Sequence, residues 1–120
     1  MNLDKPIREG IELVRALKSA GYHIVIVSGR VAEDQMEASV RYLEELGVPF
    51  DAVVMRRRGD RRRDAEFKVS VIESLVRRGY MVEIVVDDSD RVCEAVERRF
   101  PWIRVVRFKK GSHVLEPLIA

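Results

Sequence analysis

Apolar residues along this chain alternate between two spacings, a helical one and a strand-like one. Ile7, Ile11, Val14 and Leu17 follow the i, i+4, i+7 interval of one helix face. They predict a first helix over about Lys5 to Ala20, with Asp4 as N-cap, Pro6 in the first turn and Gly21 as the stop. His23 to Ser28 is then a continuous apolar run, the pattern of a strand buried on both faces. Met36, Val40 and Leu43 mark a second helix, about Glu33 to Leu46, that stops at Gly47. Ala52 to Met55 reads as a short second strand. A third helix, about Asp64 to Arg78, carries Phe67, Val71, Ile72 and Leu75 and stops at Gly79. Met81 to Val86 is a third strand. A fourth helix bears Val92 and Val96 behind Asp90 as its predicted cap, and Ile103 to Phe108 is a fourth strand. Strands alternating with helices of this length predict an α/β fold, a three-layer, doubly wound parallel sheet of about four strands built by right-handed crossovers.

Composition narrows the class. The chain has 120 residues, 47% hydrophobic and 35% charged, which suits one folded domain with its own core. No stretch approaches the roughly 20 apolar residues of a membrane span. Met1 to Pro6 lacks the apolar core of a signal peptide, so the expectation is a cytoplasmic protein without a membrane partner. Cys93, the single cysteine, falls within a helical pattern and reads as a small core residue. Arginine far outnumbers lysine and Asn and Gln occur once each, a composition that leans toward a thermophile.

Ligands of such sheets bind outside the carboxyl ends of the strands, so the residues there carry the candidate chemistry. The first strand ends in Ser28-Gly29-Arg30, where a hydroxyl, a glycine amide and a guanidinium can reach one anion; an ordinary strand-to-helix turn has the same composition. The third ends in Asp87-Asp88. Adjacent carboxylates at the end of a buried run cost energy unless compensated, and they suit a hard cation such as Mg²⁺. Alternatively one caps the following helix and the other is solvated. Between the second strand and the third helix, six arginines crowd into residues 56 to 63. That run predicts an electropositive surface for polyphosphate or nucleic acid, or simply a solvated one. Lys68, one helical turn past Asp64, can point back to the same strand ends.

Together these pieces resemble the haloacid dehalogenase superfamily of phosphatases. Ser28-Gly29-Arg30 is similar to its second motif, Lys68 to its third and Asp87-Asp88 to its fourth. The closer resemblance is to the 3'-phosphatase domain of phage-type polynucleotide kinase. It rests on Val27-Ser28-Gly29-Arg30, on Gly59-Asp60-Arg61-Arg62-Arg63-Asp64 with Lys68 four residues on, and on Asp87-Asp88 followed by Val92 and Glu94. It covers roughly residues 6 to 108. The resemblance implies a Mg²⁺-dependent phosphomonoesterase acting on, or a domain binding, the 3'-phosphate end of DNA or RNA. It implies that Ser28 holds the phosphoryl group, with Gly29 and Arg30 beside it. Lys68 neutralises the reacting oxygens, Asp87 and Asp88 hold or orient Mg²⁺, Asp88 counting also among the catalytic groups, and Arg62 and Arg63 touch the polynucleotide.

One part of that pattern has no counterpart. The family's first motif is a buried strand ending in Asp-x-Asp, whose first Asp attacks phosphorus, and no such segment precedes the first helix within residues 1 to 120. In the family that strand is central, between those ending here at Ser28 and Asp87. The expectation is that these two pair directly, in the order 2-1-3-4, or that another chain fills the gap; an open gap is disfavoured, because it strands backbone polar groups and two apolar edges. Three readings follow: a split or truncated phosphatase completed upstream or by a partner, a non-catalytic phosphate or nucleic-acid binder, and a scaffold or oligomerisation module. The lone chain is expected to be catalytically weak or inactive, and a homo-oligomer or a partner chain supplying the missing strand is expected.

Overall fold

A computed structural model describes residues 8–107. The chain is an α/β domain in which helices and strands strictly alternate: α1 (Arg8–Ser19), β1 (Val25–Val31), α2 (Ala32–Leu46), β2 (Ala52–Arg56), α3 (Asp64–Arg77), β3 (Ile84–Asp87), α4 (Asp90–Arg99) and β4 (Arg104–Arg107). All eight predicted elements are present. The expectations at Asp4, Pro6, Ile7 and Phe108 lie outside the described residues.

Among the described residues the strands form two sheets. β1 pairs with β2 in parallel, and β3 pairs with β4 in parallel, as two separate two-stranded sheets. Among the described residues β1 and β3 do not pair with each other, so the expected direct pairing in the order 2-1-3-4 is not found. Among the described residues the buried core also falls into two clusters. Val14, Ile24, Ile26, Leu43 and Val48 form one cluster, drawn from α1, β1 and α2. Ile72, Val92, Val96, Phe100 and Ile103 form the other, drawn from α3, α4 and the approach to β4. Burying a side chain of this size contributes about 1.5–3 kcal/mol, so each half is held by its own cluster.

Local chemistry explains the element ends. Gly47 closes α2 at φ +71°, in the left-handed region, and its amide returns to the carbonyls of Glu44 and Leu43. Arg15 Nε of α1 donates to the Gly47 carbonyl at 2.9 Å, which ties α1 to this turn. Gly47→Ala is therefore expected to lower stability by about 1 kcal/mol or more in a denaturant titration. Asp51 takes the Ile24 amide and the Lys18 ammonium, each at 2.7 Å, and fixes the entry of β1 beside β2. The Lys18 hydrogen bond, with the Ile24 amide second, holds its carboxyl below the usual range. α4 is capped by Ser89, whose hydroxyl accepts from the Val92 amide, and not by Asp90, which is the first helical residue. Serine sits where its short side chain reaches back over one turn. Cys93 is completely buried, as its helical position predicts. On α2, the buried Ser39 hydroxyl has no partner among the described residues. Ser39→Ala is expected to hold or raise stability, by up to about 1 kcal/mol in thermal or chemical unfolding.

β3 starts three residues later than the apolar run suggests. Its ladder opens only at Ile84 opposite Arg104, and Tyr80 and Met81 before it are 58% and 86% exposed.

Candidate phosphate site at the strand ends

The carboxyl ends of β1 and β3 meet around α3. β1 pairs regularly with β2 up to Ser28, opposite Met55, and then shifts register before Val31. The irregularity falls on Ser28-Gly29-Arg30 and turns that segment out of the ladder, as bulges beside functional sites do. Ser28 is buried, and its Oγ accepts from the Arg30 amide at 3.1 Å. The hydroxyl proton stays available to a second acceptor.

α3 begins at Asp64, directly above this turn. A Cβ on Gly29 would lie 2.7 Å from Asp64 Oδ1, so glycine is what lets the helix N-terminus approach the strand end. Lys68, one turn on, is only 8% exposed, and its ammonium donates to Asp87 Oδ2 at 2.9 Å and lies 3.2 Å from Asp64 Oδ2. Asp87 is 4% exposed, and its Oδ1 accepts from the Ser89 amide at 2.9 Å. Burial acts against both charges. On Lys68 the attraction of Asp87, then Asp64, outweighs it and raises the ammonium pKa. On Asp87 the Lys68 charge outweighs it and lowers the carboxyl pKa. The two directions agree on an ionised pair.

The arginine loop divides in two. Arg56 is inward. Its Nε donates to the Gly29 carbonyl at 3.0 Å, its Nη1 to the Arg62 carbonyl, and its guanidinium lies 4.8 Å from the Phe67 ring centre. Arg62 grips Asp60 through Nε and Nη2 at 3.1 and 2.7 Å, and also lies over Phe67. The Arg62 side chain, followed by its backbone amide, brings the Asp60 carboxyl down to about 2. Arg58 is held by Asp34 and Glu33 of α2. Arg57, Arg61 and Arg63 are exposed.

The structure thus joins most of the predicted residues. A continuous chain of contacts runs from Gly29 through Arg56 and Asp64 to Lys68 and Asp87. Ser28 and Arg30 flank Gly29 in the bulge, and Asp88 follows Asp87. Arg62 sits in the loop clamp, while Arg63 lies at the N-cap of α3 and is exposed. Sequence reasoning gave no role to Asp64, Arg56 or Phe67. Their signal was the i, i+4 relation of Asp64 to Lys68 and an aromatic inside an arginine-rich stretch.

Asp87 and Asp88 are adjacent carboxylates, the hard oxygen donors that a Mg²⁺ ion takes as ligands. Among the described residues, no group of three His, Cys, Asp or Glu side chains makes a fuller metal cage.

Comparison with known proteins identifies the family and the fold. The model of one family, the polynucleotide kinase PNKP phosphatase domain, matches residues 1–112. A chain in the structure of the Pnkp1/Rnl/Hen1 RNA repair complex superimposes with a TM-score of 0.77 at 23% identity, covering 88% of this chain and 33% of that one. A chain in a second Pnkp1/Rnl/Hen1 structure gives 0.73 at 24% identity, covering 87% of this chain and 36% of that one. This chain therefore spans about a third of the length of either neighbour. No curated protein matches the sequence.

Proposed function

The chain belongs to the PNKP phosphatase-domain family of the haloacid dehalogenase fold, and from that premise we propose that its strand-end site binds the terminal 3'-phosphate of a polynucleotide for Mg²⁺-dependent removal. The observation that carries the reading is the buried Lys68–Asp87 pair at one strand end, linked through Asp64 to the Ser28-Gly29-Arg30 bulge at the other.

In this reading Ser28 donates its hydroxyl proton to a phosphoryl oxygen, and Arg30 takes another. Lys68 has three donor hydrogens and two carboxylate acceptors, so one hydrogen remains for the reacting oxygens. Asp87 fixes the ammonium. Asp87 and Asp88 would hold Mg²⁺, which supplies charge neutralisation to the phosphate when bound. Phosphoryl transfer asks mainly for positioning and charge neutralisation, which these groups provide. The covalent nucleophile is not among them. In this scheme it is an aspartate delivered from outside residues 1 to 120, on an additional strand that lies upstream or on a partner chain.

Arg57, Arg61 and Arg63 carry the polynucleotide contact in this scheme, and Arg62 holds the loop that presents them. Arg61→Ala and Arg63→Ala should each flatten the salt dependence of single-strand binding by about 0.7 in log–log slope, checked by titrating an oligonucleotide at several salt concentrations. The activity itself is tested by phosphate release from a 3'-phosphorylated oligonucleotide with Mg²⁺, for the chain and its Asp88→Asn variant. The chain alone should release none. Release that Asp88→Asn abolishes would place the nucleophile within this chain and overturn the external-aspartate part of the scheme.

A further inference from the structure

Away from the strand-end site, the most exposed aromatic side chain among the described residues is Trp102. It stands in the connection between α4 and β4, and the local chain explains why it points outward. Phe100, Pro101, Trp102 and Ile103 form a tight turn, closed by the Ile103 amide, which donates to the Phe100 carbonyl at 3.0 Å. Pro101 sets the backbone angle at the second position of that turn. The two ends of the turn, Phe100 and Ile103, are buried in the second core cluster, whereas Trp102 between them is 63% exposed. The Trp102 and Phe100 rings meet edge to face, with centroids 5.6 Å apart and planes at 80°. A buried ring thus braces the indole, and most of its surface is left to solvent.

The surroundings are basic. Residues 98 to 104 carry three arginines and no acidic residue. Arg99 lies over the Phe100 ring, 5.6 Å from its centre, and donates to Glu73 at 2.9 Å. Arg98 and Arg104 are exposed, and neither holds a carboxylate among the described residues. The Arg104 amide donates to the Glu83 carbonyl at 2.9 Å, which sets the start of β4 beside the segment that follows the exposed Tyr80 and Met81.

This face is remote from the phosphate site. β4 runs from Arg104 beside Ile84 to Arg107 beside Asp87. Trp102 therefore lies at the amino-end edge of the strands, roughly 10 Å or more from Asp87 at about 3.3 Å per residue. The arginine loop of residues 56 to 63 follows β2, at the carboxyl ends.

We infer that the Trp102 face is a stacking site for an unpaired base of a single-stranded polynucleotide, with Trp102 as the platform and Arg98 and Arg104 as the backbone phosphate contacts. An exposed indole offers a π-face to any base, and guanidinium groups beside it attract the polyanion. A duplex keeps its base faces inside its own stack, so the site selects single strands. An acidic peptide would satisfy the arginines but brings no planar ring for the indole. The inference goes beyond the terminal-phosphate reading and does not depend on it, because it asks for a base and internal phosphates and for no 3' end.

Trp102 is the only tryptophan of the chain, so its fluorescence reports on this face directly. An oligothymidylate of about ten nucleotides with a 3'-hydroxyl, a length within the range of single-strand sites, is titrated into the full chain at low salt. Stacking should quench the emission, and the same strand annealed to its complement should quench far less. With a labelled strand, Trp102→Ala should weaken binding roughly tenfold at an unchanged salt slope, as loss of one stacked base does. Trp102→Phe keeps a ring beside Phe100 and should bind with intermediate affinity. Arg98→Ala and Arg104→Ala should each flatten the log–log salt slope by about 0.7 and keep the quench at saturation. No quench at saturating strand, or an equal quench by inorganic polyphosphate, overturns the proposal. So does a quench that Arg61→Ala removes while Arg98→Ala and Arg104→Ala leave affinity unchanged, which would place the strand at the arginine loop alone. An emission change that grows with protein concentration without nucleic acid would make the face a contact between copies, and also overturns it. Quenching without any preference for a 3'-phosphate supports the stacking site and counts against the terminal-phosphate reading alone. A 3'-phosphate preference without quenching does the reverse.

Discussion

Lys68→Met will destabilise the domain by about 3–5 kcal/mol, because it leaves the Asp87 carboxylate buried without its cation. Both side chains are nearly inaccessible, 10% and 4% exposed, so water offers the orphaned charge little relief. The loss should depend on pH with a definite sign. The folded-state pKa of Asp87 lies below its ordinary 3.8, so its contribution is fully present above that pH and disappears as pH falls through the depressed value. The folded-state pKa of Lys68 lies above 10.5, so its contribution is fully present below that pH and disappears as pH rises through the elevated value. The native chain minus the variant should therefore show a plateau between about 4 and 10, narrowing at both ends. In the variant, Asp87 is expected to take up a proton more readily, which brings the two proteins together in acid. Urea titrations at a series of pH values measure this directly. A penalty below about 1 kcal/mol across the plateau would mean that the pair is solvated.

Arg56→Ala is expected to cost about 2–4 kcal/mol, the second largest effect. Its side chain, 12% exposed, donates to the carbonyls of Gly29 and Arg62 and covers the Phe67 ring. Truncation leaves those carbonyls without a donor and uncovers the ring. Arg56→Lys should recover little, because an ammonium cannot span two carbonyls as the planar fork does. Unfolding curves give the stability change. Limited proteolysis gives its location, with new cleavage expected within residues 56 to 63. Protection equal to that of the native chain would show that the loop is held by Arg62 and Asp60 without Arg56.

Much of this was legible in the chain because the signals were local. Helix periodicity at Val14 and Leu17, and again at Phe67 and Ile72, marked the buried faces, and Gly47 marked a helix end through a backbone angle that few other residues adopt. Ser28, Lys68 and the Asp87-Asp88 pair were legible as types at strand ends and on one helix face. What was hidden is relational. Whether β1 meets β3 depends on what occupies the space between them, and the runs Ile24 to Val27 and Ile84 to Val86 read as buried strands either way. The cap of α4 moved from Asp90 to Ser89 because several acidic and hydroxyl residues compete within a turn, and backbone geometry selects among them. The arginine run could not be divided by composition. Its inward members are set by Gly29, Asp60 and Phe67, which lie around Arg56 and Arg62 only once α3 is folded against β1.

The reading of the strand ends as a site for a terminal phosphate is tested most directly by affinity. One oligonucleotide, carrying either a 3'-phosphate or a 3'-hydroxyl, is titrated into the full chain with Mg²⁺ at fixed salt. Hydrogen bonds to a charged group are worth about 1.5–3 kcal/mol, so the 3'-phosphate should bind at least about tenfold more tightly, and Ser28→Ala should remove most of that preference. Equal affinity for the two ends would contradict the account, leaving the arginine loop as a general polyanion surface and the Ser28–Lys68–Asp87 arrangement as part of the framework alone.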